Sequence, residues 1–266
     1  MSSGHLLEPY IPGESPAHRA DPRLKLLAML GYIAVATGLP ARAWAGFAGL
    51  LLMALAAVAA SGLPVVRVLR RAAPAFVFSG IVALAALVQA GEHELLSGRF
   101  LWLTLAISLE SLQQFAYILV RAWLSALVVG LYAAVTGFPD TVAALRGLGV
   151  PAVLTSTLAL VYRYLFVLVD EALRLERARA ARTFRPASLR RIGFEVRVFG
   201  AILGSLFLRA YNRSERVYQA MLARGFDGEF RGLQQLRWRR NDTLLAVAWS
   251  SGLLLLATFA LLRLPL

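Results

Sequence analysis

The stretch "LVYRYLFVLVDEALRLERARAAR", from Leu160 to Arg182, decides how this chain is arranged. Its first half continues an apolar run that begins at Val150, and its second half mixes acidic and basic residues with alanine and leucine. No glycine or proline separates the two halves, so the pattern predicts one helix of about thirty residues that starts at Pro151. A second basic stretch, "RVYQAMLARGF" from Arg216 to Phe226, also closes on Ala-Arg.

The composition of the chain is that of an integral membrane protein. Of its 266 residues, 59% are hydrophobic and only 16% are charged, whereas a soluble domain carries roughly a quarter charged residues. A helix needs ~20 apolar residues to cross the bilayer core, so long uncharged runs predict membrane spans. The uncharged runs are Ala43 to Val66, Ala72 to Gly91, Ala122 to Pro139 and Thr243 to Leu262.

The basic residues indicate which segments face the cytoplasm, because Lys and Arg are enriched in cytoplasmic loops. Between Arg174 and Arg240 there are 16 arginines against 5 acidic residues, which is +11 of the chain's total of +13. The polar N-terminal residues lack the pattern of a cleavable signal peptide. We therefore expect an all-α polytopic protein of the bacterial inner membrane, with its N-terminus in the cytoplasm and about five transmembrane helices.

The expected division of the chain has four parts. These are a cytoplasmic tail at 1–24, transmembrane helices one to four at 25–137, a cytoplasmic coupling domain at 138–241 with two long helices ending near Arg182 and Arg224, and a last transmembrane helix at 242–266.

The number of spans depends on Val150 to Val169, which is apolar enough to cross. If this segment crossed, the arginine-rich region after it would lie outside the cell, against the charge rule. Either Phe100 to Leu119 is an additional span, which gives six, or Val150 to Val169 lies along the inner face. We favour the second interpretation, with Phe100 to Leu109 as a short interfacial helix.

The second long helix carries an apolar stripe with helical spacing. Its members are Val196, Phe199, Leu203, Leu206, Ala210, Val217 and Met221. The helix is expected to run to Ala223, with Gly225 taking the left-handed conformation that commonly ends a helix.

Arginine at the last turn of a helix has a favourable interaction with the helix dipole, and its planar guanidinium can bind a carboxylate or backbone carbonyls through two hydrogen bonds. A small residue before it lets a partner approach closely, so each helix end suits a groove on a partner protein. Nearby charges are expected to set the geometry, through a pair between Asp170 and Arg174 and through Glu215 beside Arg216. The supporting residues are Asp170, Glu171, Arg174, Arg213, Glu215 and Arg216.

The motifs "RSERVYQAMLARGF" (Arg213 to Phe226) and "RARAART" (Arg177 to Thr183) resemble the transmembrane T component of energy-coupling-factor (ECF) transporters, most closely the cobalt/nickel subfamily, CbiQ. The opening "HRADPRLKLLAML" (His18 to Leu30) and the stretch from Leu160 to Arg182 share this resemblance, which spans nearly the whole chain. It implies a scaffold rather than an enzyme.

The resemblance also implies the partners. Two crossing coupling helices would dock their Ala-Arg-Gly ends on a pair of ABC-type ATPase subunits, and their apolar faces would hold a substrate-binding membrane S component. By position the docking residues are Ala181, Arg182, Thr183, Ala223, Arg224 and Gly225. Thr183 departs from the family pattern, in which glycine is usual.

No cofactor is expected on this chain. It has no glycine-rich phosphate loop, so ATP would be bound by the partner subunits. It has no cysteine, and its three histidines are scattered without ligand spacing, so no metal site is expected. The lipid bilayer, and not nucleic acid, is the expected partner of the basic surface beyond the protein subunits.

Three other functions fit parts of the pattern. The chain could be an ECF T component that serves a vitamin or another substrate. It could be a membrane-embedded lipid-modifying enzyme, which would need paired carboxylates. Asp170 and Glu171 are the only adjacent pair of carboxylate residues in the sequence. It could be a conventional ABC permease, although such a protein usually couples through one short cytoplasmic helix.

The proposed topology predicts which residues a reagent can reach. Ser188 and Gln234 are expected to be accessible from the cytoplasm, and a reporter fused after Leu266 is expected to report the outside, because only the last span follows the basic region. Labelling with a membrane-impermeant reagent in intact cells and in inverted vesicles measures this. A cytoplasmic C-terminus would show that the spans are miscounted.

Overall fold

A computed structural model describes residues 10–13, 15–40, 43–87, 94–100, 103–182, 192–230 and 238–262. This part of the chain is almost entirely helical, which confirms the all-α class of a polytopic membrane protein. In order, the elements are α1 (Pro16–Arg19), α2 (Pro22–Gly38), α3 (Trp44–Ser61), α4 (Val65–Leu87), β1 (Glu94–Phe100), β2 (Leu103–Ser108), α5 (Leu109–Val135), α6 (Phe138–Gly147), α7 (Ala152–Arg182), α8 (Ile192–Ala223) and α9 (Arg240–Leu262).

The chain forms two compact units. The bundle unit consists of Pro9–Ala144 together with Leu236–Leu266, and the helix-pair unit contains Leu145–Gln235. The proposed boundaries of a cytoplasmic coupling domain, 138–241, stay a prediction, because no membrane is present in the structure.

The core of the bundle unit is formed by apolar side chains of α2, α3, α4, α5 and α9. Its most completely buried side chains include Tyr32, Leu50, Val58, Leu124 and Leu127. The Tyr32 hydroxyl donates to the carbonyl oxygen of Leu50 at 3.0 Å, and Nε1 of Trp249 donates to that of Ala28 at 3.1 Å. Unsatisfied polar groups cost several kcal/mol in a bilayer, so both aromatic side chains sit where their polar atom has an acceptor.

A glycine lets α9 approach α3 closely. A Cβ atom placed on Gly49 would clash with Cδ2 of Leu256. Small residues at such contacts are typical of membrane helices, because association there depends on close packing rather than on expulsion of water. A larger residue at position 49 would therefore require the Leu256 side chain to move.

The described helices follow the expected spans with small changes of boundary. Three of them are long and apolar enough to cross a membrane by length and composition: Trp44–Ser61, Ser111–Val135 and Ala152–Arg182. The basic residues Arg67 and Arg70 lie inside the first turns of α4, so the connection from α3 is only the short segment around Gly62. Gly62 has φ +67°, the left-handed conformation that ends α3.

The expected interfacial helix from Phe100 to Leu109 is wrong. Residues Glu94–Phe100 and Leu103–Ser108 instead pair as an antiparallel hairpin, with Phe100 opposite Leu103, and the helix begins only at Leu109. Short apolar runs fit a strand and a buried helix equally well. Pairing with a neighbouring run, which the spacing did not reveal, decides the outcome here.

The Asp242 carboxylate joins the first turns of α2 and α9. Its Oδ1 accepts from the backbone N–H of Asp21 at 3.2 Å, and its Oδ2 accepts from the N–H of Arg239 at 2.8 Å, which is half of a capping box for α9. Asp21 in turn caps α2 by accepting from the N–H of Arg23 at 2.8 Å. Both carboxylate residues are buried.

The last turn of α5 lies at the same end of the bundle unit. The Lys25 ammonium donates to the carbonyl oxygen of Val135 at 3.2 Å, and the N–H of Ile11 donates to that of Ala134 at 2.9 Å. At the opposite end the Tyr117 hydroxyl, early in α5, donates to the carbonyl oxygen of Leu39 at 3.0 Å. Thus α2 begins, α5 ends and α9 begins at one end of the bundle.

This arrangement constrains what lies between α5 and α9. The chain leaves the bundle unit and returns to it at the same end. We therefore expect the intervening segment to cross a membrane an even number of times, which argues against a single crossing by α7, although α7 is long enough. That neither α7 nor α8 crosses stays a prediction.

Replacing Asp242 tests this junction. Asp242→Ala removes the acceptor of two backbone N–H groups at a buried site, so we expect a loss of about 1–3 kcal/mol in the free energy of unfolding. Asp242→Asn keeps one acceptor oxygen and is expected to lose less. Thermal unfolding in detergent measures both variants, and equal stability of the two would contradict this account.

Candidate functional site: the ends of an antiparallel helix pair

The helix-pair unit is built on α7 and α8, which run antiparallel. Nη1 of Arg209 donates to Oε1 of Glu171 at 2.6 Å, and Arg179 forms a second ion pair with Glu195. The first bond joins the middles of the two helices, and the second joins the end of α7 to the start of α8. Both pairs are partly exposed, so each contributes little to stability, but together they fix the register of the helices.

Helix α8 buries no residue completely. The stripe predicted from its spacing is divided by the structure. Leu206, Ala210, Val217 and Met221 are half-buried, whereas Val196, Phe199 and Leu203 are exposed, with 57% of Phe199 accessible. An exposed apolar face of this size on a helix is typical of a surface that another molecule covers.

The end of α8 is a Schellman motif, as the glycine predicted. The N–H of Gly225 donates to the carbonyl oxygen of Leu222 at 2.9 Å, and the N–H of Phe226 donates to that of Met221 at 3.1 Å. Gly225 has φ +76°, which a side chain would strain. Arg224 is therefore the last residue before the reversal of the chain, and it is exposed together with Ala223.

The segment after this reversal returns to the start of α7. The Arg146 guanidinium donates to the carbonyl oxygen of Phe230 at 2.5 Å and to Oε2 of Glu229 at 3.2 Å. The N–H of Phe230 donates to the Ser156 hydroxyl at 3.1 Å, and the ring of Phe230 lies 4.9 Å from that of Phe226. We call this set of contacts the latch, because it ties the end of α8 to the turn that precedes α7.

The end of α7 presents the other predicted motif. Ala181 and Arg182 are its last two residues and both are exposed. Thr183 lies outside the described residues. Counted from the contact between Glu171 and Arg209, Arg224 lies 15 residues along α8 and Arg182 lies 11 residues along α7 in the opposite direction. The two Ala-Arg ends are therefore roughly 40 Å apart at 1.5 Å per residue.

The predicted supporting residues have different outcomes. Glu171 is an ion-pair partner, but its guanidinium comes from Arg209 on the other helix. Oε1 of Glu215 accepts from Nε2 of Gln219 at 3.4 Å, one turn along α8, and not from its neighbour Arg216. The predicted pair between Asp170 and Arg174 stays a prediction. Arg213 and Arg216 are exposed beside Arg209 on α8.

The latch residues were missed by sequence reasoning. Arg146 and Glu229 are 83 residues apart, and no periodicity connects them. One local signal was present: "LRGLGV" at Leu145–Val150 ends α6 as "MLARGF" ends α8. There the N–H of Val150 donates to the carbonyl oxygen of Leu145 at 3.1 Å, and Gly149 has φ +92°.

The exposed groups at the two helix ends suit binding to a partner. Two exposed guanidiniums at helix ends can bind carboxylates or carbonyls of a partner. Across the described ranges, no cluster of three or more His, Cys, Asp or Glu residues is placed to hold a metal ion.

The family model "CbiQ: Cobalt transport protein" matches residues 13–236, which include both helix ends and most of the bundle unit. The chain belongs to the CbiQ family. Among its relatives, the energy-coupling factor transporter transmembrane protein EcfT of Lactococcus lactis is 30% identical over 260 residues, covering 91% of this chain and 93% of the relative. EcfT of Listeria innocua is 29% identical over 269 residues, covering 96% of this chain and 98% of the relative.

A nickel permease, LarQ of Lactiplantibacillus plantarum, is 35% identical over 99 residues, which is 37% of this chain and 34% of the relative. Membership of the CbiQ family makes this chain the transmembrane T component of an ECF transporter. It is thus a transporter subunit rather than a catalytic enzyme, and it works with other subunits.

The geometry of the CbiQ-family helix end can be tested with two glycines that both have open space where a methyl group would lie. Gly225→Ala places a side chain at positive φ, so we expect a cost of about 1–2 kcal/mol and faster amide exchange in the last turn of α8. Gly204→Ala, in the middle of the same helix, is expected to stabilise it by about 0.5–1 kcal/mol. Hydrogen–deuterium exchange measures both.

Gly204→Ala is expected to slow amide exchange in α8. If Gly225→Ala also slowed amide exchange in the last turn, the left-handed helix end would not exist in solution.

Proposed function

We propose that this CbiQ-family chain couples a pair of ABC-type ATPase subunits to a substrate-binding membrane S component, in an ATP-driven importer of cobalt ions. The observation that carries the proposal is the pair of exposed Ala-Arg ends on two antiparallel helices. Each end presents a guanidinium beside an alanine, and the two are roughly 40 Å apart. This separation favours two partner subunits over a single groove.

The ATPase subunits would be engaged by Arg224 and Arg182. Each guanidinium can form two parallel hydrogen bonds to a carboxylate or to backbone carbonyls at the end of a partner groove. Ala223 and Ala181 leave the helix backbone accessible beside it. ATP would be bound by those subunits and not by this chain.

The S component would cover the exposed apolar face of α8. Phe199, Leu203 and Phe207 are spaced four residues apart and are 57%, 49% and 69% exposed. Helix-in-groove recognition uses such a row of apolar anchors. Motion of the ATPases would then pass through α7 and α8 to the S component and reorient it in the membrane.

The metal assignment is supported by the name of the family and by the nickel permease among the relatives. This chain offers no ligand cluster within its described part, so the S component would select the ion. If the transported substrate is not cobalt, nickel is the alternative metal ion and a vitamin is the alternative class of substrate. A lipid-modifying enzyme is disfavoured, because Glu171 is neutralised by Arg209.

The proposed orientation places the N-terminus, the latch and both helix ends in the cytoplasm. It is supported by the +11 net charge between Arg174 and Arg240 and by the shared end of the bundle at which α2 and α9 begin.

Substitution of both arginines tests the coupling. Arg182→Ala with Arg224→Ala is expected to abolish uptake of radioactive Co²⁺ and to weaken ATPase binding by at least about 150-fold, since each of the two charged hydrogen-bonding groups contributes about 1.5–3 kcal/mol. The measurements are uptake in cells that express all subunits and the yield of co-purified ATPase.

The matched control is Arg163→Ala, which removes an exposed arginine of α7 that lies 19 residues before Arg182 and outside both Ala-Arg ends. It is expected to leave uptake and ATPase yield unchanged. Arg224→Lys keeps the charge and loses the planar fork, so a large loss would support bidentate binding. Normal ATPase yield and normal uptake in the double variant would refute the coupling function, and uptake of Ni²⁺ or a vitamin in place of Co²⁺ would refute only the ion.

A further inference from the structure

A cleft of about 330 Å³ lies between α7 and α8, beside the point where they are joined by Glu171 and Arg209. Its two walls differ in chemistry. Val167 and Leu168 of α7 form an apolar wall, and Arg209, Arg213 and Arg216 of α8 form a basic one. A cleft with one apolar and one cationic wall suits an amphipathic anion.

The basic wall has more positive charge than its surroundings neutralise. Arg209, Arg213 and Arg216 are spaced by four and three residues and so share one face of α8. Among the described residues, the only carboxylate that lines the cleft is that of Glu171, which is bonded to Arg209, so three cations face one anion. Guanidinium groups bind phosphate oxygens through paired hydrogen bonds.

The apolar wall continues along α7 and away from the cleft. Leu154, Leu158, Val161 and Leu165 recur at steps of four, three and four residues and are 36–57% exposed, and the next position in this series is Leu168 in the cleft. The stripe is roughly 20 Å long at 1.5 Å per residue. This is comparable with the ~15 Å depth of one leaflet of the hydrocarbon core.

We propose that this cleft binds an anionic phospholipid, with its phosphate on Arg213 and Arg216 and an acyl chain along the apolar stripe of α7. The shared chemistry is that of a phosphate ester. Free phosphate would use only the basic wall, whereas a lipid uses both walls, and basic pockets at the cytoplasmic membrane surface bind lipid headgroups. The site lies between the two helix ends and does not depend on the ATPase subunits.

The test is native mass spectrometry of the full-length chain in detergent, titrated with phosphatidylglycerol. Arg213→Gln with Arg216→Gln is expected to weaken binding about 30-fold, since each surface arginine contributes about fivefold. Arg197→Gln, on α8 outside the cleft, is the matched control and is expected to change nothing. Unaltered binding by the double variant would overturn the proposal.

Two comparison ligands identify the source of the phosphate. Zwitterionic phosphatidylcholine is expected to bind at least tenfold more weakly, because the surplus charge of the cleft repels its choline group. Inorganic phosphate is expected not to displace phosphatidylglycerol at equal concentration. Equal binding of phosphatidylcholine, or displacement by inorganic phosphate, would overturn the assignment of an anionic lipid.

Two further variants act in opposite directions. Glu171→Gln leaves Arg209 without its carboxylate and is expected to tighten phosphatidylglycerol binding about fivefold. Leu158→Ser with Leu165→Ser keeps every charge and is expected to weaken binding by shortening the acyl-chain contact. The amphipathic site would be refuted if Glu171→Gln did not tighten phosphatidylglycerol binding and Leu158→Ser with Leu165→Ser did not weaken it.

Arg224→Ala is expected to retain lipid binding while losing the ATPase. Failure of the lipid site is therefore distinguishable from failure of the coupling function.

Discussion

The buried Asp242 carboxylate is the interaction on which the arrangement of this chain depends. By accepting from Asp21 and from Arg239, it satisfies backbone donors at the starts of α2 and α9, and it joins residues 21 and 242, which are 221 residues apart in sequence. The Lys25 ammonium also donates to the carbonyl oxygen of Val135, which brings the end of α5 to the same end of the bundle unit. Because α5 ends and α9 begins at one end of the bundle unit, the chain leaves this unit and returns to it at that end.

The helix-pair unit holds its geometry with polar contacts and few buried apolar ones. Its two ion pairs and the latch set the register and the end of α8, while no described residue of α8 is fully buried. Such a unit leaves its apolar faces available to other molecules. Because the two helices need little apolar surface to hold each other, an exposed apolar stripe remains on α7 and another on α8. The guanidinium groups at both helix ends remain exposed as well.

Helices and helix ends were predictable from the sequence, because their signals are local. Apolar spacing predicted the continuous α7, and Gly225 predicted the left-handed end of α8. The hairpin was not predictable, since the short run at Leu103–Ser108 has no helix or strand signature of its own. Nor was the partner of Glu171 predictable. Spacing within one helix offered Arg174 to Asp170, whereas the fold supplies Arg209 to Glu171, 38 residues away. Contacts between two helices depend on how the helices pack together, and the spacing of residues within one helix does not predict that packing.

The position of that contact has a mechanical consequence. Arg209 lies near the middle of α8, 15 residues before Arg224 and 14 residues after Glu195, so each arm of the helix is about 22 Å long. Each arm is also tied near its tip, at the start of α8 by the pair between Arg179 and Glu195 and beyond its end by the latch. A force on either end of α8 is therefore shared among contacts at three positions along the helix, instead of being carried by one.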